Sequence, residues 1–277
     1  MATGTVYFGD NQDVLAEIPD GSVSLVYIDP PFNTGKVQTR KQLQTLRDDA
    51  GDRVGYQGNR YKTTVLGEKG YDDSFDEFID KFLRPRVERS RDLLTPDGSL
   101  YLHIDYREAH YVKVMLDEVF GRGSFMNEII WAYDYGARTK KRWPAKHDTI
   151  FWYVKDPKNY IFNYDDIDRI PYMAPGLVGP EKVALGKLPT DVWWHTIVSP
   201  NGKEKTGYPT QKPLAILKRI ILASSRPGDT VLDFFAGSGT TGEAALCEER
   251  NFILVDKNPE AIEVMKKRFK EIDVDFK

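Results

Sequence analysis

Asp29-Pro30-Pro31-Phe32 directly follows the apolar run Val23–Ile28. Two consecutive prolines cannot continue a strand. They hold φ near about −65° and remove two backbone donors, which leaves the carbonyls of the stretch free to accept hydrogen bonds. Asp29, Pro30 and Pro31 therefore form a rigid cluster of acceptors, and Phe32 adds an aromatic face beside it. Such a cluster suits an aromatic amine, a poor nucleophile because its lone pair is delocalised into the ring. Acceptors around the NH₂ group favour a pyramidal nitrogen with an available lone pair, and Asp29 can receive the departing proton. The rest of catalysis would be alignment of that nitrogen with its electrophile.

Three other strand-like runs also end on a carboxylate. Val6-Tyr7-Phe8-Gly9 leads to Asp10, Val231-Leu232 to Asp233 and Leu254-Val255 to Asp256. In a parallel sheet the carboxyl ends share one edge, and ligands bind along it. Four carboxylates there predict an acidic concavity for a ligand with positive charge, amines or hydroxyls. The segment Asp233-Phe234-Phe235-Ala236-Gly237-Ser238-Gly239-Thr240-Thr241-Gly242 contains the dinucleotide pattern G-x-G-x-x-G, with Asp256 where an acidic ribose ligand is expected. A carboxylate immediately before that turn would repel a pyrophosphate at the helix N-terminus. It would favour a ligand with an ammonium and a sulfonium. S-adenosylmethionine has both, together with ribose hydroxyls, and has no phosphate.

These residues need a frame to hold them. Seven apolar runs read as strands: Thr5–Phe8, Val23–Ile28, Ser99–Ile104, Glu128–Tyr133, Thr149–Val154, Asp229–Phe234 and Asn251–Val255. Helical patterns lie between several of them, over Phe75–Leu93, Glu108–Phe120, Leu214–Ala223, Gly242–Arg250 and Pro259–Phe269. The alternation predicts an α/β fold with a mostly parallel sheet covered on both faces. At 277 residues and 40% hydrophobic composition, one large domain with insertions accommodates all of it. Residues 36–70, polar and weakly periodic, read as a long mobile insertion after the Asp-Pro-Pro-Phe segment. Residues 156–207, irregular and proline-rich, read as a recognition segment. No run approaches the roughly 18–20 apolar residues that span a bilayer. Met1-Ala2-Thr3-Gly4 has no signal-peptide pattern, and the single Cys247 cannot form an intramolecular disulfide. A cytoplasmic enzyme is expected.

Taken together, the motifs resemble those of the site-specific amino-methyltransferases of DNA, in the β arrangement, where the catalytic motif precedes the cofactor motif. Asp29-Pro30-Pro31-Phe32 resembles the catalytic tetrapeptide and Phe235-Ala236-Gly237-Ser238-Gly239 the cofactor turn. Gly9-Asp10-Asn11 is similar to the segment that meets the cofactor adenine, and Pro209-Thr210-Gln211-Lys212-Pro213 to the one that holds its methionine end. Ser99–Asp105 is similar to the strand after the catalytic one. The resemblance implies a Rossmann-like, class I methyltransferase fold with a circularly permuted seven-stranded mixed sheet. Residues 1–277 would form a single catalytic domain, with the target-recognition segment 156–207 inserted between its catalytic and cofactor halves. It implies S-adenosylmethionine as cofactor, bound by Asp10, Thr210, Lys212, Asp233, Phe235, Gly237, Ser238, Gly239, Thr240 and Asp256, and it requires no metal. The implied substrate is adenine N6 in double-stranded DNA, with the flipped base stacked on Phe32. The resemblance leaves room for a homodimer and for a cognate restriction endonuclease.

Between Gly136 and Lys146 there are five basic residues and no acidic one, with Trp143 among them. Net charge is only −3, so a DNA-binding surface has to be local. Arg138, Lys140, Lys141, Arg142 and Lys146 are the expected phosphate contacts. Cytosine N4 presents the same kind of amino group; Asp in place of Ser at position 29 favours adenine within the resembling family. RNA or protein amines and a non-catalytic cofactor-sensing module are more distant alternatives. His103 is expected to be a packed or hydrogen-bonded residue rather than a ligand, Cys247 to be buried, and Trp193 and Trp194 to belong to a core or an interface.

Overall fold

The computed structural model describes residues 2–33, 36–48, 50–51, 53–54, 58–73, 77–134, 139–199 and 202–277. The chain divides into two units, Met1–Pro30 with Glu77–Lys277, and Pro31–Asp76. In chain order, β1 (Gly4–Phe8), α1 (Asn11–Glu17) and β2 (Val23–Ile28) open the large unit. The small unit contributes β3 (Lys36–Arg47), β4 (Arg53–Val54) and β5 (Arg60–Asp73). The large unit resumes with a stretch of π-helix, Phe78–Leu83, then α2 (Arg84–Leu93), β6 (Leu94–Asp105), α3 (Ala109–Phe120), β7 (Phe125–Ala132) and β8 (His147–Val154). It ends with α4 (Pro180–Leu185), β9 (Val192–Trp194), α5 (Leu214–Ser224), β10 (Thr230–Asp233), α6 (Thr240–Cys247), β11 (Asn251–Asp256), α7 (Pro259–Arg268) and β12 (Val274–Phe276).

The large unit is built on one sheet in the order β12-β1-β11-β10-β2-β6-β8-β7-β9. The strands from β12 to β6 pair in parallel, β8 runs antiparallel to both of its neighbours, and β9 is parallel to β7. All seven expected strands are present, in the permuted order. Two more, β12 and β9, extend the edges, so among the described residues the sheet has nine strands rather than seven. Each of these is three residues long, too short for alternation to register in a sequence. Along β9 the side chains do alternate: Trp193 is buried and Trp194 is exposed.

Central strands buried on both faces read as unbroken apolar runs. Every residue of β2 is buried, as are the last eight of β6. On one face Leu25, Tyr27 and Tyr101 join a continuous core with α5, α6 and α7. Val26, Ile28, Leu100, Leu102 and Ile104 are equally buried between them. Helix starts follow their caps. The Asp10 side chain accepts from Gln12 N at the head of α1, and Asn258 accepts from Glu260 N ahead of Pro259 in α7. Cys247 is exposed rather than buried: it is the last residue of α6, at the margin of the inward stripe formed by Thr240, Thr241, Ala244 and Ala245.

The small unit replaces the long loop expected over 36–70. β3 and β5 form an antiparallel ladder with a register shift at Gln42/Leu43, and β4 adds to the other side of β5. An Asx turn tightens the chain after β3, where the Asp48 carboxylate accepts from Ala50 N at 2.9 Å. A ladder held by main-chain bonds needs no apolar alternation, which is why the polar sequence concealed it. The single expected domain is thus a large unit with a folded insertion.

In the core, the Phe252 ring stacks on Phe269 with centroids 5.2 Å apart, and Phe252 is 1% exposed. Phe252→Ala is expected to destabilise the protein by about 3–5 kcal/mol. Urea unfolding checks this, and a loss below about 1 kcal/mol would show that the site repacks.

Candidate active site

The strand order reverses between β10 and β2, and a crevice opens beyond the carboxyl ends of strands at such a point. Val231 pairs with Leu25 and Leu232 with Val26, so Asp233 and Asp29 end adjacent strands. Asp256 ends β11 and Asp10 follows β1, both parallel neighbours in the same sheet. The four carboxylates therefore share one edge. β7 runs in the same sense as β6, so the β7–β8 connection lies at that edge too.

Each carboxylate is held differently. Asp233 is 2% exposed and accepts from Phe235 N at 3.0 Å and from the Thr241 hydroxyl at 2.5 Å. Burial, aided by the charges of Asp29 and Asp256, outweighs those two bonds and pushes its carboxyl up to about 7. Asp256 accepts from Gly237 N at 2.7 Å and from Asn258 N at 2.8 Å. Burial raises it as well, against the pull of those two amides and of Lys257. Asp10 lies 3.3 Å from Arg86 Nη2 and 3.9 Å from Lys257 Nζ.

The glycine turn fits between these groups. Gly237 and Gly239 have φ of 52° and 75°. A Cβ on Gly239 would lie 2.7 Å from Met265 Cγ, so both backbone conformation and space require glycine there. The Ser238 and Thr240 hydroxyls are buried and bonded to each other at 3.0 Å. Phe235 packs against Phe82 and Phe234. A sulfonium and an ammonium gain from this acidic edge, and ribose hydroxyls find carboxylates already oriented by amides. The residues fit S-adenosylmethionine.

Asp29 directly follows β2, and its side chain is mostly buried. Lys212 Nζ bonds Oδ2. Oδ1 is buried and has no hydrogen-bond partner among the described residues, while His103 Nδ1 lies 4.0 Å away. Lys212, which the sequence grouped with the cofactor, is thus set on Asp29. Its segment is anchored by the buried Gln211, whose amide donates to Glu204 O at 2.6 Å and accepts from Thr206 N at 2.8 Å. Thr210 is exposed. Pro31 and Phe32, half-buried, begin the small unit. Of the basic run, Lys140, Lys141 and Arg142 are exposed and Lys146 is half-buried, whereas Arg138 lies outside the described residues. Trp143 is 95% exposed, and Arg142 Nη2 reaches the Tyr106 hydroxyl at 3.3 Å.

Sequence reasoning missed Arg86. Its guanidinium is 5% exposed and bonds Asn11 Oδ1 at 2.5 Å and Phe82 O at 2.7 Å; Asn11 in turn donates to Phe234 O at 2.8 Å. One side chain so ties α2 to the Asp10 segment and, through Asn11, to the glycine turn. A signal existed: Arg86 shares the inward stripe Arg86, Val87, Ser90, Leu93, where a cation needs a reason to be. His103, expected to be a packed or hydrogen-bonded residue, is both; Asp148 was not singled out, and its link to Asp29 runs through His103 across separate strands.

The sheet order and this edge define a Rossmann-like methyltransferase fold. The sequence profile described as DNA methylase, covering the N6 and N4 methyltransferases, matches residues 23–267. The DNA adenine methyltransferase YhdJ of Escherichia coli (strain K12) is 32% identical over 273 residues, covering 94% of this chain and 80% of that protein. The type II methyltransferase M.HpaI of Haemophilus parainfluenzae is 31% identical over 256 residues, covering 92% and 70%. Two solved structures share the fold. The M1.HpyAVI–SAM complex has a TM-score of 0.62 at 23% identity, covering 96% of this chain and 99% of that one. The cytosine-N4-specific PvuII DNA methyltransferase has a TM-score of 0.64 at 20% identity, covering 97% and 87%. The chain belongs to the DNA methylase family. It is a methyltransferase acting on DNA, and S-adenosylmethionine is its cofactor.

The raised Asp233 carboxyl has a consequence for stability. Folded Asp233 keeps its proton up to about pH 7, while the unfolded chain releases it near the ordinary value of 3.8. The folded state binds more protons in that window, so stability falls as pH rises through it. Asparagine can accept from Phe235 N and donate to Thr241 without titrating. Asp233→Asn is therefore expected to raise the melting temperature of the cofactor-free protein at pH 8, by a margin that shrinks steadily towards pH 5. A margin independent of pH would show that Asp233 does not titrate there.

Proposed function

We propose that this chain is a site-specific DNA methyltransferase that modifies N6 of adenine in a base flipped out of double-stranded DNA. The observation that carries the reading is Asp29 Oδ1, a buried acceptor without a partner among the described residues, at the end of β2 and followed by a proline. Buried acceptors are costly when unpaired, and an exocyclic amino group would satisfy this one. When bound, S-adenosylmethionine supplies an electrophilic methyl group. This chain's residues do the rest. Lys212 occupies Oδ2 of Asp29 and so directs Oδ1 to the amine. Asp29 and the prolyl carbonyl beside it draw on the N–H bonds, which localises the nitrogen lone pair and readies it for attack. Asp29 then takes the proton that the methylated nitrogen must lose. Phe32 is assigned to stacking on the flipped base.

Adenine is preferred over cytosine because residue 29 is Asp and because the relative at 32% identity is named a DNA adenine methyltransferase. Residues 156–207, with Met173 and Leu177 almost fully exposed, are assigned to target recognition. Lys140, Lys141 and Arg142, exposed at the same sheet edge as Asp29, are assigned to phosphates.

Asp29→Asn is expected to lower methyl transfer by roughly a hundredfold or more while cofactor binding persists. Incubation with labelled cofactor and mixed-sequence DNA, followed by nucleoside analysis, should yield N6-methyladenine; N4-methylcytosine alone would overturn the choice of base. Changing Lys140, Lys141 and Arg142 together to alanine should weaken DNA binding and flatten its dependence on log salt by about 0.9 for each phosphate no longer neutralised. An unchanged slope would remove the loop from the DNA interface.

A further inference from the structure

The reaction as described gives Asp29 a proton and no way to pass it on. Behind it, on β6, stands His103, completely buried. Its Nδ1 is 3.0 Å from the Tyr27 hydroxyl and 4.0 Å from Asp29 Oδ1. Its Nε2 is 3.2 Å from Asp148 Oδ2, and the other oxygen of Asp148 accepts from the Tyr133 hydroxyl at 3.1 Å. The rings of Tyr27 and Trp131 meet the imidazole edge to face, at centroid distances of 6.4 and 5.5 Å. Packing alone does not call for an imidazole between two carboxylates, since each buried polar group must be desolvated and repaid.

The neighbours set the state of the ring. Burial pulls Asp148 upward, but the hydrogen bond and charge of His103, then Lys212 and Tyr133, outweigh it and hold the carboxyl below its ordinary range. Asp148 is thus an anion that accepts, and a ring proton on Nε2 satisfies it. Burial, with the charges of Asp29, Asp233 and Asp148, pushes the Tyr27 phenol well above its ordinary range, so it remains a donor to Nδ1. Nδ1, the ring nitrogen that does not face Asp148, is turned towards Tyr27 and Asp29.

We propose that His103, backed by Asp148, is the positioning residue for Asp29 and the next station for the reaction's proton. This rests on the reading of Asp29 as the group that meets the amine. The amine nitrogen bonds the methyl carbon with its lone pair as the carbon–sulfur bond breaks and leaves its electrons on sulfur. The cationic nitrogen then gives a proton to Asp29 Oδ1. That proton moves to His103 Nδ1 as the Tyr27 hydroxyl swings aside, Asp29 returns to its carboxylate, and Asp148 balances the imidazolium. The half-buried Tyr133 beside Asp148 marks the side from which the proton leaves to water.

Two measurements on the full chain test this. The first uses ¹⁵N-histidine labelling of the cofactor-free protein, which has four histidines. The resonance that disappears in His103→Gln should show a protonated Nε2 and a bare Nδ1; a protonated Nδ1 in the neutral ring would overturn the relay without any need for the variant to be active. The second is single-turnover methyl transfer. His103→Gln and Asp148→Asn should each lower the rate at least tenfold while DNA KM and cofactor Kd stay within twofold. Tyr27→Phe, which leaves the base in place, should stay within threefold of wild type. A His103→Gln rate within twofold of wild type, a Tyr27→Phe loss as large as that of His103→Gln, or a KM that rises as far as the rate falls would each sink the proposal. Asp29→Asn separates the two readings. If it is inactive while His103→Gln is normal, only the relay fails; if it is active, the assignment of Asp29 fails first.

Discussion

One carboxylate at the end of β2 organises the working edge of this protein. Lys212 takes Oδ2 of Asp29, and the protein leaves Oδ1 buried with no partner among the described residues. A lysine bonded to one oxygen of a buried carboxylate fixes which oxygen remains available. The reversal of strand order between β10 and β2 brings that carboxylate beside the glycine turn. The loop before α5 has to bring Lys212 back across the same crevice, and Gln211 holds it there through Glu204 and Thr206. These elements converge on the geometry of a single side chain.

The acidic edge has a cost. Burial, aided by the charges of Asp29 and Asp256, raises Asp233, which binds a proton up to about pH 7. Backbone amides of the glycine turn and of the start of α7 offset part of the burden at Asp256. A cationic ligand relieves it further, which couples cofactor binding to the stability of the large unit. Arg86 contributes from the opposite side, as a buried cation whose donors are spent on Asn11, Asp10 and Phe82 O.

Some of this was legible in the residues. The Asp-Pro-Pro-Phe segment, the four strand-ending carboxylates and the glycines all depend on local rules: proline at a strand end, carboxylates at the tips of parallel strands, and left-handed backbone at Gly237 and Gly239. The ladder of β3 and β5 was hidden because main-chain hydrogen bonds leave little trace in polar sequence. Cys247 was misplaced because it lies at the margin of the buried stripe of α6, in that helix's last residue. The short edge strands β9 and β12 fell below the length at which alternation can be read.

The sequence by itself determined the class of chemistry, an amine held by acceptors beside a cationic methyl donor, and the strand-like runs along the chain whose ends carry the carboxylates. Each of those rests on patterns within a few residues along the chain. Only the tertiary structure decided how Asp29 is used. Lys212, 183 residues away, takes one oxygen, and His103 and Asp148, from separate strands, stand behind the other. Hydrogen bonds across such separations depend on sheet order and register, and no local pattern encodes them.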